Sequence, residues 1–113
     1  MSDKTNTQTE DFETVTVTIE RKSKTRTFEV REASYGFLQQ LGASMTAQDT
    51  EQRKTAVAAF GANLIAATCF ENGEALTFEQ AKALPGGIGK RLEKEAMQLN
   101  GMTEEAQAEA KNA

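Results

Sequence analysis

The sequence lacks several residue types on which catalysis and disulfide-stabilised folding depend. Its 113 residues include no His and no Trp, and only one Cys, one Pro and one Tyr. The absence of His removes the commonest general base and the commonest metal ligand. The single cysteine, Cys69, can form neither an internal disulfide bond nor a thiolate zinc site. We therefore expect no enzymatic activity, no metal or other cofactor, and a reducing compartment.

Long hydrophobic runs are also missing. The most apolar stretch covers residues 56–70, is interrupted by Asn63 and Thr68, and is shorter than the roughly 20 residues that a membrane-spanning helix needs. The first residues are polar and carry no apolar region of a secretory signal. The formal net charge of −4 disfavours nucleic acid and anionic membranes as partners. Together these features predict a cytoplasmic protein without a membrane contact.

The N-terminal half begins with a pattern typical of a β-hairpin. From Phe12 onward apolar and polar residues alternate, and residues 21–24 (RKSK) interrupt the alternation where a turn is expected. An isolated hairpin is only marginally stable in water, so helices must cover its apolar face. We predict an α+β fold in which an N-terminal β-hairpin packs on a mainly helical domain of four to five helices. The alternating apolar positions are Val15, Val17, Ile19, Phe28 and Val30.

Helical periodicity and capping signals follow the hairpin. Ser34 is the expected N-cap of a short helix that Gly42 ends. A central helix over residues 53–70 is expected to form the core, with Cys69 as a small buried hydrophobe on its apolar stripe. Residues 72–73 (Asn-Gly) are expected to end that helix. Gly61, inside it, costs about 1 kcal/mol relative to Ala, which we expect close backbone packing to offset.

Two further helices are predicted in the C-terminal half. Thr77 and Gln80 have the spacing of a capping box. After Pro85, a helix carries an apolar stripe that Asn100 and Gly101 end, and the stripe consists of Ile88, Leu92, Ala96 and Leu99. The resulting organisation is a disordered N-terminal arm over residues 1–11, a single α+β domain over residues 12–101, and a mobile or marginal C-terminal helix over residues 102–113.

Some apolar residues are compatible with two interpretations: they either pack in the core or contact a partner at the surface. Methionine is flexible and suits surfaces that accept varied apolar partners, although it fills gaps in cores more often. Phe37 has the same two interpretations. The candidate partner-binding residues are Phe37, Leu41, Met45, Met97 and Met102.

The order of the segments resembles the small tail assembly chaperones of long-tailed bacteriophages and prophages. The similar segments are a strand entering residues 30–32 (VRE), then residues 72–73 (NG) leading to residues 76–84 (LTFEQAKAL), and finally residues 99–105 (LNGMTEE). The resemblance consists of the combination of these segments in this order. It extends over most of residues 12–109.

The resemblance implies a partner and a location. Such chaperones bind the long helical tape measure protein and keep it soluble while tail tube subunits polymerise around it. The resemblance therefore implies self-association, the cytoplasm of a bacterial host, and absence from the mature virion. It also implies a longer form, made by ribosomal frameshifting, that reaches the tail tube protein. Residues 110–112 (AKN) are compatible with an A-rich slippery sequence in the gene.

Two other functions are consistent with the sequence. The first is a minor structural phage protein that stays in the virion, for example in the tail or at the head. The second is a nucleic-acid-binding regulator that uses the basic residues at the predicted hairpin tip. No aromatic residue lies among these basic residues, which disfavours nucleic acid. The basic residues are Arg21, Lys22, Lys24 and Arg26.

Overall fold

The structure is a computed structural model that describes residues 12–102. The predicted N-terminal arm over residues 1–11, and all of the predicted C-terminal helix beyond Met102, lie outside the described residues. The elements follow in the order β1 (Thr14–Arg21), β2 (Lys24–Arg31), α1 (Tyr35–Met45), α2 (Thr50–Thr68), β3 (Cys69–Glu71), β4 (Glu74–Ala75), α3 (Phe78–Lys82) and α4 (Gly86–Leu99). The predicted α+β class is confirmed, with four helices in the described part of the chain.

The predicted N-terminal hairpin is present with the expected faces. β1 and β2 pair antiparallel without a bulge, and Val17 lies opposite Phe28 on the face that the helices cover. The turn consists of Lys22 and Ser23, whose φ angles of 49° and 68° are typical of a type I′ turn. This turn type matches the right-handed twist of the strands, and so it fixes the register of the hairpin.

The sheet is larger than the sequence indicated. β3 pairs with β2 and β4 pairs with β3, which gives a four-stranded antiparallel sheet in the order β1-β2-β3-β4. The central helix therefore ends at Thr68, and the prediction that it continues to residue 70 is wrong. Asn72 and Gly73, with φ angles of 55° and 81°, form the turn between β3 and β4 and do not end a helix. Cys69 is buried as expected, but it lies in β3.

The helix starts follow the capping signals. The Ser34 hydroxyl accepts a hydrogen bond from the backbone N–H of Phe37, as predicted, although α1 continues through Gly42 to Met45. The capping box is also confirmed, because Thr77 Oγ1 accepts from the N–H of Gln80 and the Gln80 side chain accepts from the N–H of Thr77. These bonds satisfy backbone donors that the first turn of a helix leaves free.

The core lies between one face of the sheet and the helices α2 and α4. Its large, fully buried side chains include Val17 from β1, Phe28 from β2, Leu64 from α2 and Leu92 from α4. The predicted stripe of α4 is confirmed at Ile88, Leu92 and Ala96, which are all buried. Within residues 12–102, none of the helices combines the length and apolar character needed to cross a bilayer.

Candidate functional site

The five predicted partner-binding residues differ in how far they are buried. Leu41 is only 6% exposed and belongs to the core, so it offers no surface to a partner. Phe37, Met97 and Met102 are partly buried and pack against the core, and Met45 is half-buried near the end of α1. The buried position of Leu41 follows from α1 packing on α2, which the sequence could not locate.

Met97 and Met102 are brought together by the way α4 ends. Gly101 has a φ angle of 70°, its N–H donates to the carbonyl of Gln98, and the N–H of Met102 donates to the carbonyl of Met97 at 2.6 Å. These two hydrogen bonds define a Schellman motif, in which the residues at these two positions commonly make an apolar contact. Both methionine side chains are partly buried against the core.

Phe37 lines a shallow groove beside the hairpin. The groove has a volume of about 360 Å³ and lies next to Phe12, Arg31 and Phe70. The guanidinium of Arg31 stacks over the ring of Phe70 with 4.1 Å between Cζ and the ring centroid, which places a cation at the rim. Phe37 is thus a predicted residue that lines an apolar groove of the described structure.

A second groove, which the sequence did not indicate, runs between α2, α3 and α4. Its volume is about 330 Å³, and we call it the α2–α4 groove. It is lined by Val57, Phe60, Gly61 and Ile65 from α2, Ala81 and Lys82 from α3, and Gly89 and Glu93 from α4, with the smaller Ala58 and Ala62 beside them. Val57 is 53% exposed, one of the most exposed large apolar side chains in residues 12–102.

The groove exists because the first half of α2 is only partly covered. Residues 50–63 include no buried side chain, whereas Leu64, Ile65 and Thr68 near the end of the helix are buried. The apolar residues of that first half are dispersed around the helix, so the rest of the chain cannot cover all of them at once. An apolar surface bordered by one cation, Lys82, and one anion, Glu93, remains open.

The basic hairpin tip is smaller than its sequence indicates. Arg26 donates from Nε and Nη2 to the two carboxylate oxygens of Glu71, at 2.9 and 2.7 Å, and so joins β2 to β3. The hydrogen bond from Arg26 lowers the pKa of Glu71 below its ordinary value, and the same bond raises the pKa of Arg26. Arg26 is therefore engaged in the fold, and the exposed cations near the turn are Arg21, Lys22 and Lys24.

The chemically reactive side chain of the described residues is enclosed in the core. Cys69 is completely buried, and desolvation raises the pKa of its thiol, although a contact with the Thr68 hydroxyl acts in the opposite direction. The Thr68 hydroxyl itself donates to the carbonyl of Leu64 at 2.7 Å. Residues 12–102 contain no group of three or more His, Cys, Asp or Glu that could hold a metal ion.

Comparisons with protein-family models, with curated proteins and with solved structures gave no match.

Proposed function

We propose that this chain is a tail assembly chaperone of a long-tailed bacteriophage or prophage, and that it binds the tape measure protein without catalysis. The observation that carries the proposal is the open apolar surface of α2, centred on Val57, in a chain whose segment order resembles that family. A tape measure protein is long and helical, and it exposes apolar stripes until the tail tube surrounds it.

The α2–α4 groove suits an amphipathic helix as its occupant. Such helices place their apolar face into grooves between other helices and are recognised through side chains spaced three or four residues apart. Val57 and Phe60 are three residues apart on α2 and both line the groove, so they form part of a ridge against which such a helix can pack. Lys82 and Glu93 at its border add charges of opposite sign, which favour one orientation of a charged partner helix over the other.

The shallow site also fits the proposed role of a temporary partner. A groove of about 330 Å³ gives modest affinity at one site. Several copies bound along one tape measure protein gain strength through multivalency and remain individually easy to displace. The proposal includes the cytoplasm of the bacterial host as location, absence from the finished virion, and a frameshifted longer form that contacts the tail tube protein.

The test is co-expression with the tape measure protein encoded by the same phage, scored by the fraction of that protein that stays soluble. Val57→Asp introduces a charge into the groove, and we expect it to weaken binding at least tenfold, since it replaces roughly 1.5 kcal/mol of apolar burial by a desolvation cost. Thr55→Asp is the matched control, because Thr55 is also β-branched, exposed and on α2 but does not line the α2–α4 groove.

Three results would contradict the proposal. The first is a tape measure protein whose solubility is indifferent to the chain, and the second is equal binding by Val57→Asp and Thr55→Asp. The third is detection of the chain by mass spectrometry in purified virions at structural stoichiometry, which would favour a minor structural protein. The gene sequence tests the longer form separately, through the presence of a slippery run with an overlapping downstream frame.

A further inference from the structure

The outer edge of β1 is a long strand edge that no other strand of residues 12–102 covers. β1 has eight residues and lies at one end of the sheet, whereas the strand at the opposite end, β4, has only two. Exposed edges tend to pair with other strands, and proteins usually protect them with Pro, Lys, a bulge or a very short strand. The short β4 edge has that protection. β1 contains neither Pro nor Lys and pairs with β2 without a bulge.

The hydrogen-bonding groups at this edge can be assigned. Arg21 and Lys24 close the two-residue turn, and at the other end the N–H of Glu32 donates to the carbonyl of Glu13. Odd-numbered residues of β1 therefore bond to β2, since pairs alternate along an antiparallel ladder. The even-numbered residues direct their N–H and C=O groups outward, and these residues are Thr14, Thr16, Thr18 and Glu20.

We propose that β1 pairs antiparallel with β1 of a second copy of this chain, so that the two four-stranded sheets join into one across a two-fold axis at Val17. In this register Thr14 lies opposite Glu20 of the second copy and Thr16 opposite Thr18. Each of these pairs joins outward-directed groups and exchanges two hydrogen bonds. Because the two-fold axis uses the same edge of both copies, the pairing closes at a dimer.

Side-chain pairs across the interface favour a second β1 strand as the partner and favour this register over others. Glu13 lies opposite Arg21 of the second copy, and two-fold symmetry repeats that ion pair at the other end of the interface. On the same face Val15, which is 37% exposed, lies opposite the half-buried Ile19 of the second copy. A shift of two residues in either direction separates Glu13 from Arg21 and leaves outward-directed groups unpaired. The interface therefore combines charge complementarity with burial of apolar side chains.

This inference does not depend on the proposed chaperone function. The dimer follows from the β1 edge alone, and β1 contributes no residue to the α2–α4 groove. The tests are correspondingly separate, because dimerisation is measured on the chain by itself and chaperone function on a mixture with tape measure protein.

The test is sedimentation of the full chain from micromolar to near-millimolar concentration. The unmodified chain is expected to dimerise. Arg21→Glu replaces both ion pairs by like-charge pairs, and we expect the dissociation constant of the dimer to rise about tenfold. The double variant Glu13→Arg, Arg21→Glu restores opposite charges and should return within about threefold of the original value. Lys90→Glu, an exposed position on α4, controls for the same change in net charge.

A backbone variant provides an independent measurement. Thr16→Pro removes an outward N–H without removing a hydrogen bond to β2, and edge strands accept Pro in that orientation. We expect a folded monomer, with far-UV circular dichroism like that of the unmodified chain. A chain that stays monomeric at every concentration overturns the proposal. It is also overturned if the charge swap fails to restore dimerisation, or if a folded Thr16→Pro variant dimerises as before. If the Thr16→Pro variant does not fold, the comparison of Arg21→Glu with the double variant Glu13→Arg, Arg21→Glu tests the proposal by itself.

Discussion

Gly61 provides a measurable test of how α2 and α4 pack. A glycine inside a helix costs about 1 kcal/mol relative to alanine, so Gly61→Ala should stabilise the protein if nothing opposes it. In the structure, a Cβ at position 61 would collide with the carboxylate of Glu93 and would lie 3.0 Å from its Cδ. The obstacle is the end of a flexible side chain, which can turn into solvent at small cost. We expected close backbone packing here, and the structure places a side chain there instead.

The two effects can be separated by combining Gly61→Ala with Glu93→Ala. In the unmodified background we expect Gly61→Ala to change the free energy of unfolding by between about 0 and +1 kcal/mol, because displacement of Glu93 offsets part of the helix gain. In the Glu93→Ala background the full gain of about 1 kcal/mol should appear, equivalent to about 4–8 °C in the melting temperature of a domain this size.

Urea unfolding followed by far-UV circular dichroism measures the free energy of unfolding of the unmodified chain, the two single variants and the double variant. A control for helix propensity alone is Gly89→Ala on α4, because no atom lies within 4 Å of the added Cβ at that position. If Gly61→Ala destabilises the protein by 1 kcal/mol or more in both backgrounds, then the backbone and not Glu93 limits the space, and the reasoning about this contact is refuted.

Three other predictions concern the core and the strand connections. Leu92 is completely buried, so Leu92→Ala should lower the free energy of unfolding by about 3 kcal/mol in urea unfolding. The control Lys94→Ala, at an exposed position, should change the free energy of unfolding by no more than about 0.5 kcal/mol. Glu71→Gln should lose about 1 kcal/mol at neutral pH, because Arg26 stabilises the ionised carboxylate. The lowered pKa of Glu71 means that this contribution is complete above the ordinary value of 4.5 and disappears as pH falls through the lowered value. The stability difference between Glu71→Gln and the unmodified chain should therefore shrink as the pH falls below 4.5, and a difference that stays constant on acidification would contradict the prediction. Cys69 should resist a thiol reagent in the native protein and react once in denaturant, and rapid native labelling would show that the strand β3 opens.

The sequence predicted the local structure best where a short pattern is compatible with only one type of secondary structure. The alternation in β1 and β2 fixed which face is buried, and the capping residues Ser34 and Thr77 located two helix starts. These signals depend on residues close together in the chain. They succeed because a strand alternates its faces with period two and a helix start needs side-chain acceptors at one position.

The β3–β4 hairpin was missed because its signal is ambiguous. Asn72 and Gly73 both accept positive φ angles, which suits a helix end as well as a two-residue hairpin turn. The strands on either side have only three and two residues, too few to show an alternation. What decides between the two structures is the pairing of β3 with β2, including Phe28 opposite Glu71, and this pairing joins residues far apart in the sequence.

The candidate binding surface could not be predicted for a related reason. Which apolar residues of α2 remain exposed depends on where α1, α3 and α4 pack against it, and no periodicity within α2 contains that information. Val57 lies on the central helix, which was expected to form the core, and its side chain is exposed instead. Leu41, a predicted surface contact, is buried by the same packing.

The two proposed surfaces have a combined consequence for a long partner. The α2–α4 groove and the β1 edge share no residue, so a dimer joined through β1 carries two grooves related by a two-fold axis. A partner with repeated apolar stripes can then occupy both grooves of one dimer, and the second contact forms at an effective concentration set by the segment between the stripes. Loss of the dimer should therefore weaken binding to a long tape measure fragment far more than binding to a single short helix. Thr16→Pro distinguishes the two situations, since it leaves every residue of the groove unchanged.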